Sequence, residues 1–357
     1  MYVFPANNWF YLCAMKRDIR NLSRAELQDY IAGIEERSFR ANQVWEWLWK
    51  KSSTSFEDMS NLSKSLRSRL ETDLQINPAR IATVQHSSDG TIKSAFELRD
   101  KELIEGVLIP ADDRMTACVS SQVGCSLSCK FCATGYMDRK RNLDPGEIYD
   151  QVVAIDRQAQ KNYQKPLSNI VFMGMGEPLL NYANVLASID RITSEDGLNM
   201  SPRRITLSTA GIAKMIKKLA DDQVKFNLAL SLHAANDKKR NQIMPINESN
   251  TLRALMASLK HFHEMTGNKI TFEYIAFDKF NDTLEDAKEL WKFARRLPVK
   301  INLIEYNPIA EADYLNTGQD KLDEFADFLR SKKLVVNVRR SRGKDIDAAC
   351  GQLANKS

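Results

Sequence analysis

Cys125, Cys129 and Cys132 stand in one short stretch, GCSLSCKFC, at spacings of four and three residues. Thiolates ligate both zinc and iron-sulfur clusters, and the ligand count separates the two. A closed structural zinc site takes four ligands, usually from paired C-x-x-C knuckles, whereas this loop supplies three and no second pair follows. A 4Fe-4S cubane has one iron more than three thiolates can hold, which leaves it open to a non-protein ligand. The amino and carboxylate groups of S-adenosylmethionine (SAM) suit that iron. Electron transfer from the reduced cluster then cleaves the sulfonium bond and yields a 5′-deoxyadenosyl radical, with the protein supplying position and the cofactor the hard chemistry. The competing zinc reading needs His233 or Cys118 as a fourth ligand.

Periodicity shows what must position this loop. Apolar segments TACVSS, NIVFMG, RITLST, FNLALSLH, ITFEYIAF and INLIEYN alternate with amphipathic helical patterns, the signature of a parallel α/β sheet. One helix is announced by Asp144 as N-cap and Pro145 in the first turn, followed by Ile148, Val152 and Ile155; another carries Leu252, Leu255, Leu259 and Phe262 on one face, with Gly267 at its C-cap. Six strand-helix units predict a partial (β/α)6 barrel over residues 116–345, whose ligands gather after the strand C-termini. The cysteine loop follows the first strand. GMGEP, Gly174 to Pro178, follows the second.

Upstream, SAFELRD and ELIEGVLIP flank a polar turn at Asp100 and Lys101 and predict a β-hairpin linker over 93–115. Residues 15–92 read as a small helical accessory domain, with Leu62, Leu66 and Leu70 four apart and Val44, Trp45, Leu48 and Trp49 on one face. Trp45 and Trp49 are assigned to its core, although a Trp45, Trp47, Trp49 group could also stack on RNA bases. Residues 1–14, which include Cys13, fit no period and are expected to be an extension. Residues 346–357 carry Cys350 in a polar, glycine-bearing loop expected to be exposed and mobile.

With 43% apolar and 27% charged residues the chain has the composition of a soluble globular protein, and a cytoplasmic location is expected from the lack of a long apolar run or signal pattern. The six cysteines then read as reduced thiols, ligands or reagents, in place of three bridges. A net charge of +5 permits nucleic-acid binding without demanding it.

C-x-x-x-C-x-x-C with Phe131 before its last cysteine, together with GMGEP, resembles the signature of the radical SAM superfamily. RANQVWEWLW, ELIEGVLIP, CVSSQVGCSLSCKFCATG, MGMGEPLLN, ITLSTAG, LALSLHA, EYNP and DAACGQL narrow the resemblance to the RlmN/Cfr-type RNA methyltransferases. It implies one 4Fe-4S cluster on Cys125, Cys129 and Cys132, and two SAM molecules per turnover. Gly176, Glu177, Ser208, Ser231, Leu232, His233 and Asn307 match SAM-binding positions. Cys350 matches the cysteine that takes a methyl group and bonds to the adenine, Cys118 the thiol that resolves that adduct through a transient disulfide, and Glu105 the proton acceptor. Adenine C2 in 23S rRNA and in tRNA is the implied target, with C8 methylation as the alternative. A flavodoxin- or ferredoxin-type electron donor and a monomeric state are further expectations. RNA is expected to meet Arg139 to Arg141, Arg203, Arg204, Lys238 to Arg240 and the run from Arg339 to Lys344.

Overall fold

The computed structural model describes residues 16–355; the extension at 1–14, with Cys13, lies outside the described residues. Ten strands form one sheet: β1 Arg80–His86, β2 Ile92–Glu97, β3 Leu103–Ala111, β4 Arg114–Cys118, β5 Asn169–Phe172, β6 Ile205–Thr209, β7 Asn227–Ser231, β8 Ile270–Ala276, β9 Val299–Glu305 and β10 Val335–Arg339. They hydrogen-bond in chain order, antiparallel from β1 to β4 and parallel from β4 to β10.

Helices α4 Pro145–Tyr163, α5 Tyr182–Thr193, α6 Ala213–Asp221, α8 Leu252–Thr266, α9 Leu284–Ala294 and α10 Gln319–Ser331 link the parallel strands, and a short α7, Asp237–Ile243, precedes α8. The six expected units are therefore present, and the basic strand β10 adds a seventh parallel strand to them. Pro145 opens α4, where the Glu147 carboxylate accepts from the Asp144 N–H at 2.8 Å. Gly267, at φ +65°, ends α8, a left-handed cap that glycine adopts without penalty.

The N-terminal helices are α1 Arg24–Gly33, α2 Phe39–Trp49 and α3 Lys64–Asp73. Ser23 and Glu26 form a reciprocal capping box on α1. Trp45 and Trp49 are buried as expected, and Trp49 meets Tyr149 of α4 edge-on at 5.1 Å. Trp47 is only partly buried; its Nε1–H donates to Asn61 and Lys51 lies over its ring. One expectation needs correction: residues 80–86, assigned to the helical segment 15–92, form strand β1 and extend the expected hairpin to three strands. Every residue of β1 is exposed, so the alternation that marks a half-buried strand is missing.

A buried ion network joins the helical domain to the barrel. Arg20 spans to both carboxylate oxygens of Asp150 on α4 at 2.8 Å, to Asp18 at 3.2 Å and to the Asn77 carbonyl at 2.6 Å, with its side chain 3% exposed. The fork geometry of guanidinium suits two carboxylates at once. Arg20→Ala is predicted to destabilise the fold by roughly 3–5 kcal/mol, because two buried carboxylates lose their counter-charge. Urea unfolding would measure this; an unchanged midpoint would mean that the network holds nothing together.

Candidate active site

The cysteine loop is pinned at both ends by backbone that excludes side chains. Gly124, at φ +73°, would put a Cβ 2.1 Å from the Asp138 carbonyl, and a Cβ on Gly135 would lie 2.7 Å from the Cys129 carbonyl. Between them the Cys132 N–H donates to the Cys129 carbonyl at 3.2 Å, and the Lys130 N–H to that of Ile243 at 3.0 Å. The loop packs on Leu127, Phe131 and Phe277. Burial pushes the Cys125 thiol up to about 11 and drives those of Cys129 and Cys132 upward too. Thiols this reluctant to ionise become ligands when metal charge compensates them, with protons released on binding.

Among the described residues no three Cys, His, Asp or Glu side chains converge closely enough to hold a single metal ion. Three thiols on one loop suit a cluster that takes one thiolate per iron. His233 does not rescue the zinc reading. Its Nδ1 accepts from the Ile275 N–H at 3.0 Å, and burial depresses its pKa to about 3, so the neutral ring keeps its proton on Nε2 and has no free lone pair for a metal.

The three cysteines open onto a cavity of about 900 Å³ whose wall also includes Gly176, Glu177, Ser208, Ser231, His233 and Cys350. Gly176, at φ +93°, lies so close to Gln122 that a Cβ would fall 2.5 Å from that side chain. Glu177 is fixed by the backbone: one carboxylate oxygen accepts from Leu179 N–H at 3.0 Å, the other from Ala210 N–H at 2.7 Å. Burial raises its pKa, so a cation placed against it strengthens the ionised form. The Ser208 and Ser231 hydroxyls stand 3.4 Å apart on neighbouring strands. Asn307 lies just outside the cavity wall with a buried Oδ1 that has no partner, an acceptor available to an amino group. Leu232 turns its side chain into the core. Carboxylate, paired hydroxyls, neutral imidazole and unpartnered amide form a donor and acceptor set that fits SAM beside a three-thiol cluster.

A second, inner cavity, of about 1530 Å³, begins where the first ends, and the two share Met173, Glu273, Ile304, Cys350 and Gly351. Cys118 lines this inner space. The thiol of Cys118 is pushed up to about 12 by burial, with the nearby Cys350 adding to the shift. The loop carrying Cys350 is not the free segment expected from its polar sequence. Its carbonyl accepts from Asn307 at 3.3 Å, the Gly351 carbonyl from Ala133 N–H at 2.7 Å, and the Leu353 carbonyl from the Thr134 hydroxyl at 2.6 Å. Partners more than 40 residues away supply these bonds, which local composition does not show.

Glu105 lines neither cavity. Its carboxylate pairs with Lys93 at 3.3 Å, both side chains 4% exposed or less, and accepts from the N–H groups of Ala354 and Asn355 at 2.9 and 3.2 Å.

Several cations expected to meet RNA are already engaged. Arg240 is fully buried and clamps the SAM-side loops, donating to the carbonyls of Leu232, Ser231 and Ala210 at 3.0, 3.1 and 2.5 Å. Arg141 pairs with Asp100 and Glu147, Lys140 with Glu102, and Lys344 with Glu305. Arg203 and Arg204 precede β6 and so sit at the end of the barrel opposite the cluster. A run of charge in sequence does not reveal which members the fold will pair.

Residues 119–294 match the Radical SAM superfamily, and residues 17–76 match the ribosomal RNA large subunit methyltransferase N-terminal domain. The chain is thus a radical SAM enzyme, a class that uses SAM and a 4Fe-4S cluster. It is 63% identical to the probable dual-specificity RNA methyltransferase RlmN of Cytophaga hutchinsonii, covering 98% of both chains. It is also 42% identical to dual-specificity RNA methyltransferase RlmN 2 of Myxococcus xanthus, over 95% of this chain and 91% of that one. A radical SAM methyltransferase from Sphaerobacter thermophilus superposes with a TM-score of 0.90 at 38% identity, over 95% of this chain and all of the other. The chain belongs to the RlmN family of radical SAM RNA methyltransferases.

Anaerobically purified protein is expected to carry about four irons with matching sulfide, and Cys129→Ala to lose iron and brown colour together. Stoichiometric zinc without colour would overturn the assignment. Glu177→Gln should weaken SAM binding at least tenfold by calorimetry, since an amide can accept from only one of the two backbone donors and carries no charge for the amino group. Unchanged affinity would remove Glu177 from the site.

Proposed function

We propose that this chain methylates C2 of adenine in 23S rRNA and tRNA, at a peptidyl-transferase-centre adenosine and at the adenosine 3′ of the anticodon, using two SAM molecules per turnover. The observation that carries this reading is the position of Cys350 on the wall common to both cavities, with Cys118 facing it from the inner side. An aromatic ring carbon is a poor nucleophile, so direct transfer from a sulfonium fails; a sulfur that faces SAM on one side and substrate on the other can relay the carbon.

Cys350 first takes the methyl group of one SAM by displacement, giving up its thiol proton and releasing S-adenosylhomocysteine. When bound, the cluster and a second SAM would supply the radical that removes hydrogen from that S-methyl group. Cys350 then holds the carbon against the adenine: its S-methylene radical adds to C2, the adduct gives up one electron, which the cluster when bound would take back, and the C2 proton passes to a base, leaving protein and RNA joined covalently. Cys118 attacks the Cys350 sulfur, the S–C bond breaks, the methylated base leaves, and a disulfide remains. A thiol reductant supplies the two electrons and two protons that reset the disulfide, and a donor of flavodoxin or ferredoxin type supplies the single electron that reductive cleavage of the second SAM needs. The raised pKa of Cys118 keeps it protonated at neutral pH, so resolution needs a base or a rearrangement that exposes it.

Glu105 is the carboxylate for the ring proton, and the tail governs its use. Ala354 and Asn355 donate to one of its oxygens and Lys93 pairs with the other. Because Glu105 lines neither cavity, the last residues of the described chain must shift for the ring to reach it.

Cys350→Ala should retain iron yet produce no methylated RNA, and Cys118→Ala should accumulate an RNA-protein adduct stable in denaturing gels. An active, adduct-free Cys118→Ala enzyme would end the two-thiol scheme. Mass spectrometry of digested product RNA against 2-methyladenosine and 8-methyladenosine standards distinguishes C2 from C8 transfer, and the C2 product is expected.

A further inference from the structure

The interior of a parallel barrel is normally filled by layers of Val, Ile and Leu. This one is not. Side chains two apart on a strand share a face, and the inward files here read Arg114, Thr116, Cys118 on β4; Thr271, Glu273, Ile275 on β8; and Lys300, Asn302, Ile304 on β9. Thr206, Asn169 and Asn337 continue the polar layer on their own strands. The inner cavity is what these residues leave. Its floor is cationic: Arg114, Lys300, Arg340 and Arg342 line it and are exposed. Among the described residues none of these four has an acidic side chain within ion-pair distance, whereas Arg339 is held by Glu273 at 3.4 Å. A hydrogen-bonded file crosses its wall, Asn337 donating to Asn302 at 3.2 Å and Asn302 to Glu273 at 2.8 Å.

An apolar ligand has no use for such walls, and a metal has no donors among four cations. The chemistry that fits is an anion attached to a flat, hydrogen-bonding group. Resting on the proposed methyl relay, we propose that the target nucleotide of the RNA reaches Cys350 through this inner cavity. It approaches from the side opposite the cluster and SAM, with Arg114, Lys300, Arg340 and Arg342 holding the flanking phosphates and Asn302 and Asn337 facing the base. The geometry of the relay requires two sides: the sulfur receives and is activated from the outer cavity and delivers into the inner one, where Cys118 also stands. A base that must leave its stack to react gains a polar enclosure that replaces the hydrogen bonds it gives up.

The test is RNA affinity, measured by fluorescence anisotropy on SAM-loaded, cluster-reconstituted protein, with an RNA stem-loop bearing an unpaired adenosine, over a series of KCl concentrations. Arg114→Gln with Lys300→Gln, and separately Arg340→Gln with Arg342→Gln, should each weaken binding tenfold or more. Each should also flatten the slope of log affinity against log salt by roughly 1.4, about 0.7 for each lost single-strand phosphate contact. SAM affinity should be unmoved, since SAM lies across Cys350. Arg139→Gln with Lys238→Gln, exposed on the cluster side, should change RNA affinity less than threefold. Cavity pairs that bind RNA like wild type, or a cluster-side pair that loses more than they do, would overturn the proposal. Binding needs no turnover: if Cys350 takes no methyl group from SAM the relay fails, and the affinities still decide the route.

Discussion

The hydrogen bonds of residues 350–355 hold one sulfur between two cavities, and the rest of the site is arranged around that placement. A chain segment laid across a barrel carries backbone polar groups that must find partners once water is excluded. Here the partners are not generic. The Gly351 carbonyl is bonded to Ala133 and the Leu353 carbonyl to Thr134, both immediately after the last cluster cysteine. Cys350 is therefore registered against the cluster loop by the bonds that make its segment foldable. The other end of the segment is registered against β3 through Glu105 and the Leu103 carbonyl. The contacts that set the sulfur in place thereby also engage the Glu105 carboxylate.

The outer cavity shows how much polar structure goes into fixing its wall. Arg240 sits with no exposed surface inside the fold, and burial lowers its pKa to about 10. It remains charged at neutral pH because three loop carbonyls and Asn247 receive its protons. Those carbonyls lie at or just beyond the C-terminal ends of β6 and β7, beside the Ser208 and Ser231 hydroxyls and His233 that line the cavity. A buried cation is a costly way to tie two turns together, and apolar packing often does as well. It has one property apolar packing lacks: each carbonyl is fixed in direction, and with it the side chains one or two residues away.

Much of this was legible in sequence, for reasons tied to particular residues. Pro145, Gly267 and the alternating apolar segments marked the helices and strands because their signals are local. The cysteine spacing and GMGEP fixed where the outer cavity would lie, because strand C-termini of a parallel barrel share one face. Strand β1 was missed because no residue of it is buried, which removes the periodicity that reports a strand. The pairing of Arg141, Lys140 and Arg339, and the burial of Arg240, depend on contacts between distant segments and leave no trace in a charge run. The polar inward files stand in the sequence as Thr, Asn and Lys at alternate positions, but alternation alone does not tell which face of the sheet turns inward.

A hollow barrel forfeits the dispersion and apolar burial that its inner layers normally contribute. The stabilisation moves outward. The buried faces of the helices that wrap the sheet, Ile148, Val152 and Ile155 on α4 and Leu255, Leu259 and Phe262 on α8, pack on its outer face with the apolar residues of the strands between them. Each such side chain contributes about 1.5–3 kcal/mol on burial. With the shell carrying stability, the interior is released for function, and its composition can answer to a substrate. Polar residues on the inward face of the sheet need partners, and the file from Asn337 through Asn302 to Glu273 and Arg339 supplies them to one another. That file ends beside Cys350. The interior polarity is therefore neither random nor a packing fault: it is organised toward the one sulfur on which both cavities converge.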